Sequence, residues 1–287
     1  MKNIFCFIVC LYVILSFPID AADLSRTPAG ASTQEKTESS FVRNEDLSAK
    51  DFLKIARKAP ASESWAKMEG YATHRRTGAK AIKDNIRIGI RFTSKRITAQ
   101  IFFADKEFYE LGQTFDVIPV FTKDFSEKDI TKSRIAMYGI DPSDITLAFL
   151  YREFVREEKS EAVKTFPCRV FVLKDKNTNG YVRVWLSTEY CFPLKVHWFN
   201  KSPEKNDKPI REMELGGVKK EDGFYVVSEL LLFGTNWRTR IEFEKRSAGL
   251  VTENQKSPKD LFLDRDAVLK KIKQEKILKE KTSETNQ

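Results

Sequence analysis

Acid–base, nucleophilic and metal chemistry is built mostly from histidine, cysteine and converging carboxylates, and this 287-residue chain has only two histidines and four cysteines. His74 and His197 lie far apart, and neither falls in the His-Glu-x-x-His spacing that sets two ligands on one helix face; packing or surface roles are expected for both. No Gly-x-Ser-x-Gly elbow, glycine-rich phosphate loop or kinase signature occurs. The 41 acidic residues are spread along the chain, and their spacing selects no pair for general acid–base work. A non-catalytic protein is expected, with no metal and no cofactor. A secreted hydrolase with an unrecognised carboxylate site is the enzymatic alternative.

The elements around these residues begin with an export signal. Met1-Lys2-Asn3 precedes an apolar run from Ile4 to Phe17, interrupted only by Ser16, and Ala21 stands at a suitable cleavage point, which is the pattern of a cleavable signal peptide over residues 1–21. The run is shorter than the roughly 20 apolar residues a bilayer-spanning helix needs. A periplasmic location follows as the expectation. Removal of the segment takes away Lys2 and Asp20, so the net charge of +9 is retained. Such a charge suits an anionic membrane surface or an acidic partner, and export removes nucleic acid from the partners. Most of the charge is read as solvated surface.

Cys168 and Cys191 survive cleavage into a compartment where disulfides persist. Pairing of the strand Pro167–Lys174 with Tyr181–Ser187 sets Cys168 near Ser187, and a reversal at Thr188–Tyr190 returns Cys191 toward it. The pair is compatible with a disulfide and equally with two separate thiols.

Residues 22–44, rich in Ser, Thr, Ala and Glu, read as a flexible leader. A short helix from Ser48 to Lys58 follows. The period then becomes two: Ile86, Ile88, Ile90 and Phe92 alternate with Arg87 and Arg91, Ile97 to Phe103 alternates likewise, and Trp237, Thr239, Ile241 and Phe243 alternate with charged residues. Strands with one apolar and one charged face belong to an antiparallel sheet wetted on one side. Further strands are expected near Trp65–Thr73, Glu107–Gln113, Phe115–Phe121, Phe192–Phe199, Ile210–Val218 and Phe224–Phe233. A helix from Pro142 to Tyr151 is expected to be capped by the Asp141–Asp144 segment, with Ser143 or Asp144 accepting the free amides. Residues 45–249 read as one β-domain and 250–287 as a basic tail with a helix over Asp266–Lys281.

The 22 phenylalanines and four tryptophans, concentrated on sheet faces, imply a thick core or an apolar concavity. Tyr181-Val-Arg-Val-Trp185, the turn to Pro193-Leu-Lys-Val-His-Trp198, the run Val218 to Gly223 with Tyr225, and Trp237–Phe243 together resemble the LolA-like family of outer-membrane lipoprotein-sorting proteins over roughly residues 48–246. The resemblance implies a mainly β (α+β) fold: a strongly curved antiparallel sheet forming an incomplete β-barrel with one to three covering helices. It also implies a cavity that shields lipid acyl chains or lipoproteins. The residues expected to line it are Ile88, Ile90, Phe92, Ile101, Phe103, Ile241 and Phe243, with Trp185 and Trp198 as structural anchors. An envelope protein-interaction or stress-sensing module of the same fold, with a protein partner, is the alternative.

Overall fold

In a computed structural model of the chain, residues 44–115, 121–125, 130–221, 223–270 and 274 are described; the expected signal peptide, nearly all of the leader and most of the C-terminal helix fall outside them. The strands are β1 (Ser64–Arg76), β2 (Ile82–Phe92), β3 (Arg96–Phe103), β4 (Glu107–Thr114), β5 (Phe121–Phe125), β6 (Glu153–Val163), β7 (Phe166–Lys174), β8 (Tyr181–Ser187), β9 (Pro193–Phe199), β10 (Arg211–Glu221), β11 (Phe224–Gly234) and β12 (Trp237–Leu250). They form one 12-stranded sheet in the order β5-β4-β3-β2-β1-β12-β11-β10-β9-β8-β7-β6. All its pairings are antiparallel. Two meanders, β1–β5 and β6–β12, thus join along β1 and β12, and the sheet is not closed.

The alternation read in the sequence sets the register. Ile88 lies opposite Ile101 and Phe92 opposite Ile97, and across the central seam Ala72 and Gly70 face Ile241 and Phe243. Small residues on β1 leave room for the branched and aromatic side chains beside them. At Gly70 the strand shifts register, and a methyl group there would meet the Glu242 carbonyl oxygen at 1.9 Å.

Two helical pieces cover the apolar face. Helix α1 (Ala49–Ala56) is capped by Ser48, whose hydroxyl accepts from the Asp51 amide, and buries Phe52, Leu53 and Ala56; Phe52 stacks on Phe171 of β7 at 5.7 Å. The crossover from β5 to β6 is a plug made of a 3-10 turn (Ile130–Lys132), helix α2 (Arg134–Met137) and two further 3-10 turns, Pro142–Thr146 and Ala148–Tyr151. The continuous helix expected over Pro142–Tyr151 is broken because Leu147 takes a left-handed conformation, φ 51°. Its cap is the Asp141 side chain, accepting from the Ser143 amide, while Asp144 turns inward.

Other expectations also shift. The strand expected at Phe115–Phe121 lies mostly outside the described residues, and β5 runs Phe121–Phe125. Strand β6 was not expected at all. Cys168 pairs with Ser187 as the hairpin requires, yet Cys168 and Cys191 are buried free thiols, and the Cys168 Sγ donates to the Phe166 carbonyl at 3.4 Å.

On the outer face the segment after β12 folds back across β1–β3. Lys67 and Arg87 reach Asp260, Arg87 also donates to the Asp260 carbonyl, and Gln100 holds Leu263 through both its carbonyl and its amide. Leu261 of this strap is buried against the sheet.

Candidate ligand-binding site

The side chains expected to line a cavity all point to the inner face and are all buried: Ile88, Ile90, Ile101 and Phe103 at 0%, Ile241 at 1%, Phe243 at 2% and Phe92 at 3% exposure. They belong to one continuous apolar core with the buried residues of α1 and the plug, and none of them borders the open spaces described below. Phe103 meets the ring of Tyr138 edge-on at 5.1 Å, so the plug rests directly on this face.

Discrete polar contacts fasten the plug. Asp84, at the edge of the inner face, accepts from Arg134 Nε at 2.5 Å and from the Tyr138 hydroxyl at 2.6 Å, and burial with that carboxylate pushes the Tyr138 hydroxyl above the range in which it ionises in ordinary water. Glu107 accepts from the amides of Arg134 and Ile135 at the start of α2. Thr239 donates its only hydroxyl proton to the Tyr138 carbonyl at 2.7 Å. The 2.8 Å contact between Thr239 Oγ1 and His74 Nδ1 therefore has the imidazole as donor, which fixes the Nδ1–H tautomer. Burial lowers the His74 pKa. Arg211 of β10 sits 2.7 Å from Asp144 Oδ2, donates to the Gly139 carbonyl at 3.1 Å and lies 3.7 Å over the Trp198 ring. Desolvation nevertheless dominates at Asp144 and raises its carboxyl to about 7.

The histidines thus serve packing. His197 lies on the outer face, 4.6 Å from Trp185, and its pKa is lowered to about 3 by burial and by Lys195 and Arg183. Its 3.0 Å approach to Glu212 is accordingly that of a neutral ring. Trp185 donates to Glu161 at 2.8 Å, and Phe149 of the plug meets Trp198 edge-on, so both tryptophans anchor structure. Among the described residues, no group of three or more metal-binding side chains occurs.

A wide open space lies at the mouth of the cup. A cavity of about 1110 Å³ is bounded by Lys50, Lys54, Ile55, Arg57, Lys58 and Ala59 at α1 and its end, by Ser94 and Lys95 in the β2–β3 turn, by Thr114 and Phe115 after β4, and by Tyr151 of the plug. The Phe115 amide donates to the Lys95 carbonyl at 3.3 Å and ties two of these walls together. Ligand pockets commonly measure about 300–1,000 Å³, so the space suffices for a sizeable amphiphile. Nearby, Gln113 on β4 is 1% exposed, and neither of its amide atoms has a partner. A second cavity of about 300 Å³ lies on the outer face, bordered by Glu69, Arg87, Phe102 and Leu263 among others. The mouth was not foreseen in the sequence. Its only trace there is the spacing of Lys50, Lys54 and Lys58, one helical face.

No family model matches the sequence, and neither does any curated protein. Among solved structures, the chain is similar to a DUF1329 family protein from Desulfovibrio piger, with a TM-score of 0.54 and 14% identity over 76% of this chain and 96% of that one. It is also similar to an outer membrane lipoprotein-sorting protein domain from Vibrio parahaemolyticus, with a TM-score of 0.49 and 12% identity over 75% and 95% of the two chains. A LolA superfamily protein from Nitrosomonas europaea gives a TM-score of 0.46 and 7% identity over 76% and 98%. At 14% identity, what is shared with the Desulfovibrio protein is the fold. A curved antiparallel sheet left open, with short helices over its inner face, is the incomplete β-barrel expected from the sequence.

Proposed function

We propose that this chain is an exported, periplasmic, non-catalytic protein that binds lipids or lipoproteins, shielding apolar chains that enter through the mouth between α1 and the β2–β3 turn. The observation that carries this reading is the roughly 1110 Å³ cavity whose apolar wall, Ile55, Ala59, Phe115 and Tyr151, adjoins the plug over the oily inner face. Each methylene withdrawn from water contributes about 0.8 kcal/mol, so an acyl chain gains by lying there. With the plug seated, Ile88, Phe103, Ile241 and their neighbours are sealed; they become ligand-facing only when the plug lifts. The plug is held there by the buried Ile135, Tyr138, Ile145 and Phe149 and by discrete hydrogen bonds and ion pairs at Arg134, Tyr138 and Asp144, which such a movement would have to release. The basic, apolar start of the sequence supports export, and no described helix is long and apolar enough to cross a membrane.

The test is native mass spectrometry of protein purified from the periplasm, followed by solvent extraction. A bound amphiphile, and displacement of a fluorescent fatty acid by added lipid, are expected. Bare protein that binds no probe would count decisively against the proposal. A second reading, a protein-interaction module of the same fold, is favoured by the complete burial of those inner side chains, since a filled interior needs no cargo. Retention of one defined envelope protein in a pull-down, without lipid, would select it.

A further inference from the structure

We propose that the mouth selects for an anionic head group, a carboxylate or phosphate, carried on an apolar chain; this rests on the ligand-binding reading above and adds the chemical class of the ligand.

The mouth is one-sided in charge. Among the described residues that border the cavity, the charged ones are Lys50, Lys54, Arg57, Lys58 and Lys95, all basic. Lys50, Lys54 and Lys58 follow one another at four-residue intervals, so they rise on one side of α1 and its terminal turn, opposite the buried Phe52 and Leu53. Lys95 faces them from the β2–β3 turn. Among the described residues none of these four lysines forms an ion pair, although elsewhere on the sheet arginines and acids pair repeatedly, as in Arg169–Glu157, Arg183–Glu158 and Arg246–Glu221.

Arg57 separates this patch from an ordinary solvated face. Its guanidinium is held by backbone carbonyl oxygens alone, Nε donating to Leu150 at 2.7 Å and Nη2 to Arg152 at 3.0 Å. No carboxylate approaches it among the described residues, and burial lowers its pKa. A partly buried cation without a compensating anion is costly, and here it borders an open cavity. An oxyanion entering the mouth would supply the missing charge, while Ile55, Ala59 and Phe115 take the chain behind it. The carbonyl bonds orient the guanidinium before any ligand arrives, as a head-group site requires.

The test is calorimetric titration of the whole processed protein at low salt with laurate, dodecyl phosphate, dodecanol, dodecyltrimethylammonium and inorganic phosphate. Laurate and dodecyl phosphate are expected to bind at least about 10-fold more tightly than the neutral and cationic chains, with the advantage shrinking as salt rises. Inorganic phosphate alone is expected to bind weakly. The exposed-lysine variant Lys50→Glu/Lys54→Glu/Lys58→Glu, which leaves Arg57 and its carbonyl bonds in place, should abolish or reverse the preference while still binding dodecanol. Equal affinity for all four chains would overturn the head-group inference and leave the apolar site standing. Phosphate binding as tightly as dodecyl phosphate would overturn it in favour of a small-anion site, and failure of every chain to bind would overturn both readings.

Discussion

Asp144→Asn should flatten the dependence of stability on pH. Asp144 is buried in the plug beside Arg211, and burial raises its carboxyl from 3.8 to about 7 despite that guanidinium. Below pH 3.8 the group is protonated in the folded and the unfolded chain alike and adds no pH dependence. Between 3.8 and about 7 only the folded chain keeps the proton, so the unfolded state gains as the pH rises, and above 7 the loss is complete. That interval, at about 1.4 kcal/mol per pH unit, amounts to about 4 kcal/mol. Asparagine keeps an oxygen for Arg211 and has no proton to lose. Urea unfolding of both proteins from pH 4 to 8, followed by tryptophan fluorescence, cancels the other titrating groups in the difference. Wild type should lose several kcal/mol relative to the variant across that range. Parallel curves would show that the Arg211 contact, rather than desolvation, governs this carboxyl.

Gly89→Ala should loosen the C-terminal strap, because a methyl group there would lie 2.0 Å from the Leu261 carbonyl oxygen, a backbone atom; limited proteolysis should cut residues 251–263 sooner, and unchanged cleavage would contradict the close approach. Gln113→Met should raise stability by about 1–3 kcal/mol, since a buried amide without partners pays its full desolvation cost; a lower melting temperature would reveal a partner. His197, with its pKa near 3, should show no change in its ring proton shifts from pH 5 to 8 by NMR, and a midpoint near 6.5 would refute the buried, neutral imidazole.

Much of the sheet was legible because one face is wet and one dry. The alternation of Ile86–Phe92 and Trp237–Phe243 identified inner and outer faces, and the hairpin read at Pro167–Ser187 gave the pairing of Cys168 with Ser187. Strand β6 escaped notice because an edge strand needs no apolar face: Glu153–Val163 is largely charged and exposed, as edges that resist aggregation commonly are. The plug was misjudged as a helix because its residues suit one, and only the left-handed Leu147 divides it. The strap's one local signal was Gly89, an isolated glycine inside a strand, which often marks a close backbone approach.

The candidate site was harder to read. Periodicity placed Ile88, Phe103 and Ile241 on the inner face, yet whether that face is open depends on a crossover whose position sequence does not give. The lysine spacing on α1 was visible, but its convergence with Lys95, Phe115 and Tyr151 is a tertiary fact. Arg57 carried no signal of its own, since the carbonyl groups of Leu150 and Arg152 reach it only in the folded chain.

The central claim, that apolar chains enter this cup at its mouth, is tested most directly by a crystal structure grown with a fatty acid brominated at its tail. Anomalous scattering should place the bromine among Ile55, Ala59 and Phe115, or deeper beneath a displaced plug beside Phe103 and Ile241. A seated plug, an empty mouth and bromine found only against the outer face would contradict it.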